Sequence, residues 1–327
     1  MRGRAGPVRA ISNFKRRTLG LAALVAALPA VACAGDGTSF LEPAGPIAAL
    51  QKFHLIQITL ISLIVVLPVL VLVPLLAWRY RASNTSARYM PDWDFSHALE
   101  YVMWLVPVAV VAVLSVYLWI DTHKLDPYKQ IASAQKPLQV EVVGLDWKWL
   151  FIYPEFHIAT VGQMAFPKDR PVALKLTSDT VMQSFMVSAL GGQIYDMPGM
   201  VTKLNLQADR VGSFHGVNTQ FTGDGFQDQT FTAMSMTNKD FDAWVAKVQK
   251  DGIALNESSY RVLGHRSTPD QVHATLGTTQ MPQQVVYFND VPSGFFNKVV
   301  MKYTSGKAIP ATRQPGAVAY GQAPVGE

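Results

Sequence analysis

Residues 55–77 read LIQITLISLIVVLPVLVLVPLLA and residues 101–120 read YVMWLVPVAVVAVLSVYLWI, and neither run contains a charged side chain. A helix rises about 1.5 Å per residue, so about 20 residues cross a hydrocarbon core of about 30 Å. Both runs reach that length, and aromatic residues such as Trp78 and Tyr101 stand at their ends, as membrane interfaces favour. We therefore predict a transmembrane hairpin over residues 55–120, in preference to two buried helices of a soluble core.

The N-terminus has the pattern of a secretory signal peptide over residues 1–32, with a basic segment up to Arg17 and an apolar segment from Leu19. Cys33, the only cysteine in the chain, follows directly. The ending Ala30–Cys33 is similar to a bacterial lipobox, whose cysteine is acylated and becomes the mature N-terminus. Ala30 stands where a lipobox usually has leucine, so a cysteine near an ordinary cleavage site is the alternative. We predict a lipid anchor at Cys33 and a spacer over residues 33–54.

The connector between the two apolar runs, residues 78–100, sets the predicted orientation of the hairpin. Arg79, Arg81 and Arg88 lie in it, and cytoplasmic loops carry an excess of such basic residues. An exported N-terminus gives the same orientation, so everything after residue 120 is predicted to be periplasmic and the protein to reside in the bacterial inner membrane. Glu100 stands at the predicted cytoplasmic start of the second run. An ionisable group at this position either takes part in proton uptake or only marks the interfacial end of the membrane span.

After a polar linker, the pattern changes to short β-rich runs separated by Gly, Pro, Asn and Asp. Many short strands without alternating helices indicate an all-β sandwich or barrel, which we predict over residues 137–291. Residues 241–250 predict one amphipathic helix, with Asp240 as its cap. A last helix followed by a disordered tail rich in Gly, Pro and Ala is predicted over residues 292–327.

Composition excludes several classes of function. The net charge of +5 is concentrated in the N-terminal segment, so it gives no indication of a nucleic-acid partner. A single cysteine rules out an internal disulfide framework. The histidines after residue 120 lack metal-ligand spacing, and the pairs Met197/Met200 and Met234/Met236 suit core packing better than Cu(I) binding. No nucleophile elbow or phosphate-binding glycine loop occurs, so no catalytic residue and no metal site is predicted on this chain.

Two membrane spans followed by a β-sandwich resemble subunit II of the haem–copper respiratory oxidases. The aromatic motif GLDWKW at residues 144–149, followed by FIYPE at 151–155, carries the resemblance. Within that superfamily, further segments are similar to the cytochrome bo-type ubiquinol oxidase branch. They are WRYRASN at 78–84, SDTVMQSF at 178–185, LGGQIYDMPGM at 190–200, FTGDGF at 221–226 and FDAWVAK at 241–247.

The resemblance implies a cupredoxin-like domain that lacks its copper site. Cytochrome c oxidases bind a dinuclear copper through two Cys, two His, a Met and a Glu carbonyl. Aligned by the motif, the corresponding residues here are Gln183, Phe221, Gly223, Gly225, Gln229 and Thr232. Thiolates are absent from this set, so we expect no cofactor on this chain. Haems and one copper are expected on the partner catalytic subunit.

For this chain, the resemblance implies a non-catalytic role in a proton-pumping oxidase that oxidises ubiquinol and reduces oxygen to water. The expected partners are catalytic subunit I, further small subunits and membrane lipid. Glu100 would lie near a proton-uptake channel of subunit I, and Trp147 and Trp149 would face that subunit unless they belong to the sandwich core. Two alternatives stay open: a membrane-tethered periplasmic binding or copper-delivery lipoprotein, and a copper-containing cytochrome c oxidase subunit, which the missing ligands disfavour.

Overall fold

The computed structural model describes residues 41–88, 90–278, 281–282 and 284–322. The predicted signal peptide over residues 1–32 and the predicted anchor at Cys33 lie outside the described residues. The helices within these ranges are α1 Pro46–Arg79, α2 His97–Lys124, α3 Asn238–Asp251, α4 Glu257–Gly264, α5 Pro269–Leu276 and α6 Phe295–Thr304.

The first two helices match the predicted spans, although α1 starts earlier than the apolar run. It begins at Pro46, inside the segment predicted as a spacer, because proline suits the first turn of a helix, where its missing N–H costs nothing. The helix therefore begins within the predicted spacer, where Ala44 and Ala48 are already buried. Both helices are long and apolar enough to cross a membrane, and their apolar windows are not covered by the rest of the described chain.

Twelve strands form two sheets within the described residues. The seven-stranded sheet has the order β11-β12-β3-β2-β1-β5-β8, and the five-stranded sheet has the order β4-β10-β9-β6-β7. The strands are β1 Leu138–Leu145, β2 Lys148–Tyr153, β3 Ile158–Val161, β4 Gln163–Pro167, β5 Val172–Ser178, β6 Gln183–Met186, β7 Ile194–Asp196, β8 Thr202–Leu206, β9 Gly212–Asn218, β10 Thr230–Met236, β11 Ile253–Ala254 and β12 Val286–Asp290. All twelve strands lie within residues 137–291, the segment for which the sequence predicted a β-sandwich or barrel, and β12 pairs with both β3 and β11.

The core lies between the sheets and is largely aromatic. Trp149 and Phe151 from β2 meet Phe185 from β6 and Phe231 from β10, and the last two rings stack with centroids 5.0 Å apart. Aromatic side chains each bury a large area, so four of them fix the distance and register between the two sheets.

The C-terminal part is more ordered than its composition indicated. Helices α4 and α5 were not predicted, and the cap of α3 is Thr237, which accepts a hydrogen bond from the backbone N–H of Asp240. The prediction of a disordered tail is wrong for residues 305–322. Gly316 donates a backbone hydrogen bond to the carbonyl of Gly264, and the ring of Tyr320 lies 5.0 Å from that of His265. Composition favoured disorder, but these tertiary contacts order the segment.

The strand directions give the sandwich two ends with different contacts. The end that contacts the segments flanking the transmembrane hairpin, which we call the hairpin end, consists of the β6–β7 and β8–β9 loops. There the backbone of Ala44 bonds to Ala189 and Asp209, and Asn205 donates to the carbonyl of Pro127. The loop end lies opposite and consists of the β1–β2, β5–β6, β7–β8 and β9–β10 loops. The motif residues and the positions aligned with copper ligands therefore lie far from the first turn of α1.

Candidate functional site

Glu100 lies in the first turn of α2, where a carboxylate is favoured by the helix dipole. Its side chain is half-buried, and its backbone N–H bonds to the carbonyl of Ser96. No hydrogen bond or ion pair of this carboxylate is formed within the part of the chain that the structure describes. A charged group at the end of an apolar helix without an internal partner is available to water or to another subunit.

The opposite end of the hairpin carries a polar pair that sequence reasoning missed. His54 Nδ1 on α1 lies 2.9 Å from Asp121 Oδ2 on α2, and both side chains are 14% exposed. The distance fits an ion pair, although the nitrogen does not meet hydrogen-bond geometry. The sequence positions of the two residues indicate this pair, because residue 54 directly precedes the first apolar run and residue 121 directly follows the second. An antiparallel hairpin brings these two ends together.

At the loop end, the structure gathers polar residues aligned with the copper ligands into a buried amide network. Gln229 Nε2 donates to Gln183 Oε1 and, over 3.2 Å, to the carbonyl of Leu145. Asn218 Nδ2 donates to Gln229 Oε1 over 2.8 Å. Gln183 and Gln229 are fully buried, whereas Thr232 is exposed on β10. Amide groups do not replace the thiolates of a dinuclear copper, so this donor set does not fit that centre.

Asp196 lies beside this network, opposite Gln183 in the β6–β7 pairing. Its carboxyl group is fully buried, and neither oxygen has a hydrogen-bond partner among the described residues. Burial removes the water that would stabilise the charge and raises the pKa of Asp196 well above its usual 3.8. Burial therefore favours the neutral acid over the carboxylate. Among the described residues, no cluster of three or more His, Cys, Asp or Glu side chains is suited to a metal ion.

The two motif tryptophans have different positions. Trp149 is fully buried between the sheets, with its ring centroid 5.3 Å from that of Phe185, so the predicted contact with another subunit is wrong for this residue. Trp147 is partly exposed in the β1–β2 turn, where its φ of 69° is unusual for a large side chain. Its indole packs on Gly225, where any Cβ would overlap the ring, and its Nε1 donates to the carbonyl of Thr222. The interface role of Trp147 stays a prediction.

The motif lysine holds the helical segment against the sandwich. Lys148 is fully buried, and its ammonium group donates to the carbonyls of Asp146, Leu263 and His265 over 2.8, 3.0 and 2.8 Å. Burial lowers the pKa of Lys148 to about 7, and the neighbouring Asp146 opposes that shift. Sequence reasoning missed this role because two of the carbonyls belong to residues more than 100 positions away.

A second buried charge anchors α4 and α6. Asp179, fully buried after β5, accepts from Lys302 Nζ over 2.9 Å and from the hydroxyl of Tyr260 over 2.6 Å. The hydroxyl of Tyr303 donates to the Asp179 backbone carbonyl. Burial and the Asp179 charge raise the pKa of both tyrosines. An open cleft of 1010 Å³ lies beside this cluster, between α4, α6 and the C-terminal segment.

Comparison with known proteins identifies the family. Over 275 residues the chain is 42% identical to cytochrome bo(3) ubiquinol oxidase subunit 2 of Pseudomonas aeruginosa, covering 84% of this chain and 79% of that relative. It is 40% identical over 282 residues to ubiquinol oxidase subunit 2 of Acetobacter aceti, covering 86% and 87%. The chain belongs to the ubiquinol oxidase subunit 2 family. No protein-family model matches it.

Solved structures with local similarity include other oxidase subunits. The periplasmic domain of subunit II of cytochrome oxidase from Bradyrhizobium japonicum matches 36% of this chain and 98% of its own, with 20% identity and a TM-score of 0.34. A chain of a haem–copper terminal oxidase dimer matches 42% of this chain and 99% of its own, with 13% identity and a TM-score of 0.33.

Family membership decides between the alternatives that the sequence left open. A ubiquinol oxidase subunit 2 is part of an oxidoreductase complex, so the tethered copper-delivery lipoprotein is set aside. Two helices able to span a membrane and a subunit II domain fit a protein of the inner membrane. The fold prediction, two transmembrane helices followed by a cupredoxin-like sandwich, is confirmed. Roles for Glu100, Cys33 and Trp147 stay predictions.

Proposed function

We propose that this chain is the non-catalytic subunit II of a proton-pumping complex that oxidises ubiquinol and reduces oxygen to water. The relatives named as ubiquinol oxidase subunit 2 carry this proposal, since they match over most of both chains. Haems and one copper belong to the catalytic subunit, and further small subunits complete the assembly. This chain contributes assembly, cover for the periplasmic face and proton entry.

The absence of a redox centre on this chain is supported by the buried amide network at the loop end. Gln183 and Gln229 satisfy each other and the carbonyl of Leu145, so the space between them is already filled. Electrons from quinol therefore go directly to the catalytic subunit, and none pass through this domain. A cytochrome c oxidase subunit requires thiolate ligands at positions where this chain has Phe221 and Gly225.

Proton entry through Glu100 is supported by its position and by its unpaired state. The carboxylate stands at the predicted cytoplasmic end of α2, half-buried and without a polar partner among the described residues. A carboxylate placed at the mouth of a channel collects protons from water and passes them inward. No other described side chain forms a hydrogen bond or an ion pair with this carboxylate, so its removal should affect the fold little.

Attachment to the membrane is proposed to use both the hairpin and the lipid. The apolar windows of α1 and α2 are covered by no part of the described chain, so lipid and the catalytic subunit must cover them. Acylation of Cys33 adds a second anchor outside the described residues, and mass spectrometry of the mature N-terminus tests it. An unmodified Cys33 would leave the hairpin as the anchor.

The experiment that tests the proposed function is purification through a tag on this chain in mild detergent. We expect haem, one copper per complex and ubiquinol oxidation in the purified material. Copper retained on this subunit after separation of the complex would contradict the absence of a redox centre. A colourless monomer without haem would contradict the proposed complex altogether.

A further inference from the structure

The cleft between α4, α6 and the C-terminal segment is more positively charged than the domain that contains it. Over residues 137–322, 15 Lys and Arg side chains balance 15 Asp and Glu side chains, so this domain has no net charge. The cleft has a volume of 1010 Å³, and the charged side chains that line it are Asp179, Glu257, Arg261, Lys298, Lys302 and Arg313. Four of these six are basic, so the cleft is a local positive site on a neutral domain.

Three of the four basic side chains are available to a ligand. Lys302 is already paired with the buried carboxylate of Asp179, over 2.9 Å. Arg261 on α4, Lys298 on α6 and Arg313 in the C-terminal segment are exposed. The side chains of these three form no hydrogen bond and no ion pair within the part of the chain that the structure describes. They therefore approach the cleft from three separate elements with their charges uncompensated.

The remaining carboxylate of the lining does not neutralise this charge. Glu257 precedes Arg261 by four residues on α4, a spacing at which helical side chains often pair. No ion pair between the two is formed in the structure, and both side chains are exposed. Glu257 balances at most one of the three free cations, so an acidic ligand meets a net attraction.

Aromatic rings form the apolar part of the cleft. Tyr260, Phe295 and Tyr320 line it, and each ring is partly exposed. The rings of Tyr260 and Phe295 meet edge to face with centroids 4.9 Å apart, and the Tyr260 hydroxyl is held by Asp179 over 2.6 Å. Fixed rings beside basic groups suit a ligand that has carbon surface as well as acid groups.

We propose that this cleft binds an acidic peptide segment of another protein, whose Asp and Glu side chains contact Arg261, Lys298 and Arg313. Small-molecule pockets have volumes of about 300–1,000 Å³, so this open cleft is far larger than a single inorganic anion needs. Because the cations come from three elements, they match several carboxylates spaced along a chain. Guanidinium groups bind carboxylates in a bidentate manner, and arginine clusters are a recurring means of recognising acidic motifs.

Binding of a dye-labelled peptide to the purified oxidase complex tests the inference by fluorescence anisotropy. The probe is Glu-Tyr-Glu-Glu-Tyr-Glu, and the same peptide with Gln in place of Glu is the neutral control. We expect saturable binding of the acidic probe alone. Arg261→Gln combined with Lys298→Gln should weaken this binding about ten-fold, because two ion pairs are lost. Lys247→Gln combined with Lys250→Gln removes the same charge from exposed positions of α3, outside the cleft, and should leave the affinity unchanged.

Three results of this experiment would overturn the inference. They are the absence of saturable binding, equal weakening by the two pairs of substitutions, and displacement of the probe by an equal concentration of inorganic phosphate, which would indicate a site for a small anion. Arg261→Lys combined with Lys298→Arg keeps the charge and should keep most of the affinity. Thermal unfolding of each variant checks that the fold is retained.

Photo-crosslinking locates the probe without changing the charge of the cleft. p-Benzoylphenylalanine replaces Ser293, an exposed residue of the cleft lining, in one variant and Lys247 on α3 in the control. We expect the acidic probe to crosslink from position 293 and not from position 247, and equal crosslinking from both would contradict the site. A complex that oxidises ubiquinol normally but does not bind the probe contradicts the role of the cleft alone and leaves the proposed function intact.

Discussion

His54 on α1 lies 2.9 Å from Asp121 on α2, and this pair joins the two membrane helices at their outer ends. Each residue borders an apolar run, so the pair lies at one end of the two segments that are long and apolar enough to span a membrane. Both side chains are mostly buried, so removal of one leaves the other without its polar partner.

The pair should therefore show energetic coupling. His54→Ala and Asp121→Ala should each destabilise the detergent-solubilised chain, and the double variant should lose less than the two single losses together. Coupling of about 0.5–3 kcal/mol is usual for residues in contact. The measurement is a double-mutant cycle on equilibrium unfolding. Strictly additive losses would show that the two side chains do not interact.

The lowered pKa of Lys148 predicts that the stability of the folded chain depends on pH, with a definite sign. Its pKa falls from 10.5 to about 7 on folding, so between these values the unfolded chain binds more protons than the folded chain. Stability from this group then increases with pH, by at most about 1.4 kcal/mol per pH unit. Lys148→Met removes the titration but leaves three carbonyls without a donor, so the variant is also less stable.

The measurement for Lys148 is the difference in unfolding free energy between wild type and Lys148→Met at pH 7 and pH 9. The tyrosines with raised pKa are common to both proteins and cancel in this difference. We expect the advantage of the wild type to grow from pH 7 to pH 9. A shrinking advantage would mean that the three carbonyls hold the charged form despite its burial.

Asp196 predicts the opposite slope. Burial raises the pKa of Asp196 well above 3.8, so the folded chain keeps a proton that the unfolded chain releases. The stability that this group contributes is therefore lost as the pH rises from 3.8 towards the raised pKa. Asp196→Asn keeps the shape and removes the titration. Thermal unfolding should show the variant gaining on the wild type between pH 4.5 and pH 7.5, and parallel curves would argue against a neutral acid at this position.

The sequence predicted the sandwich well because its short β-rich runs alternate clearly with turn residues. It also placed Gln183 and Gln229 at aligned ligand positions, which the structure brings into direct contact. In each case the information is local, either in hydrophobic periodicity or in a motif of known order.

The sequence did not reveal interactions that depend on distant parts of the chain. Lys148 reads as an ordinary lysine between two tryptophans until the carbonyls of Leu263 and His265 are seen around it. The segment after residue 305 has a composition typical of disorder, yet Gly316 bonds to Gly264. Both cases depend on contacts between segments that are far apart in the sequence, and only the tertiary fold brings those segments together.

Glu100 gives the most direct test of the proposed proton entry. Glu100→Ala should slow oxygen reduction several-fold while haem content stays normal, because the side chain bonds to no other described residue and its contribution to the helix dipole is at most about 1 kcal/mol. Asp94→Ala is the matched control, since Asp94 is an exposed carboxylate in the same connector. Glu100→Asp should restore part of the rate, because it returns the acid with a shorter reach. Equal turnover in Glu100→Ala, Asp94→Ala and wild type would remove proton entry from the function of this subunit, and a parallel loss of haem would assign Glu100 to assembly.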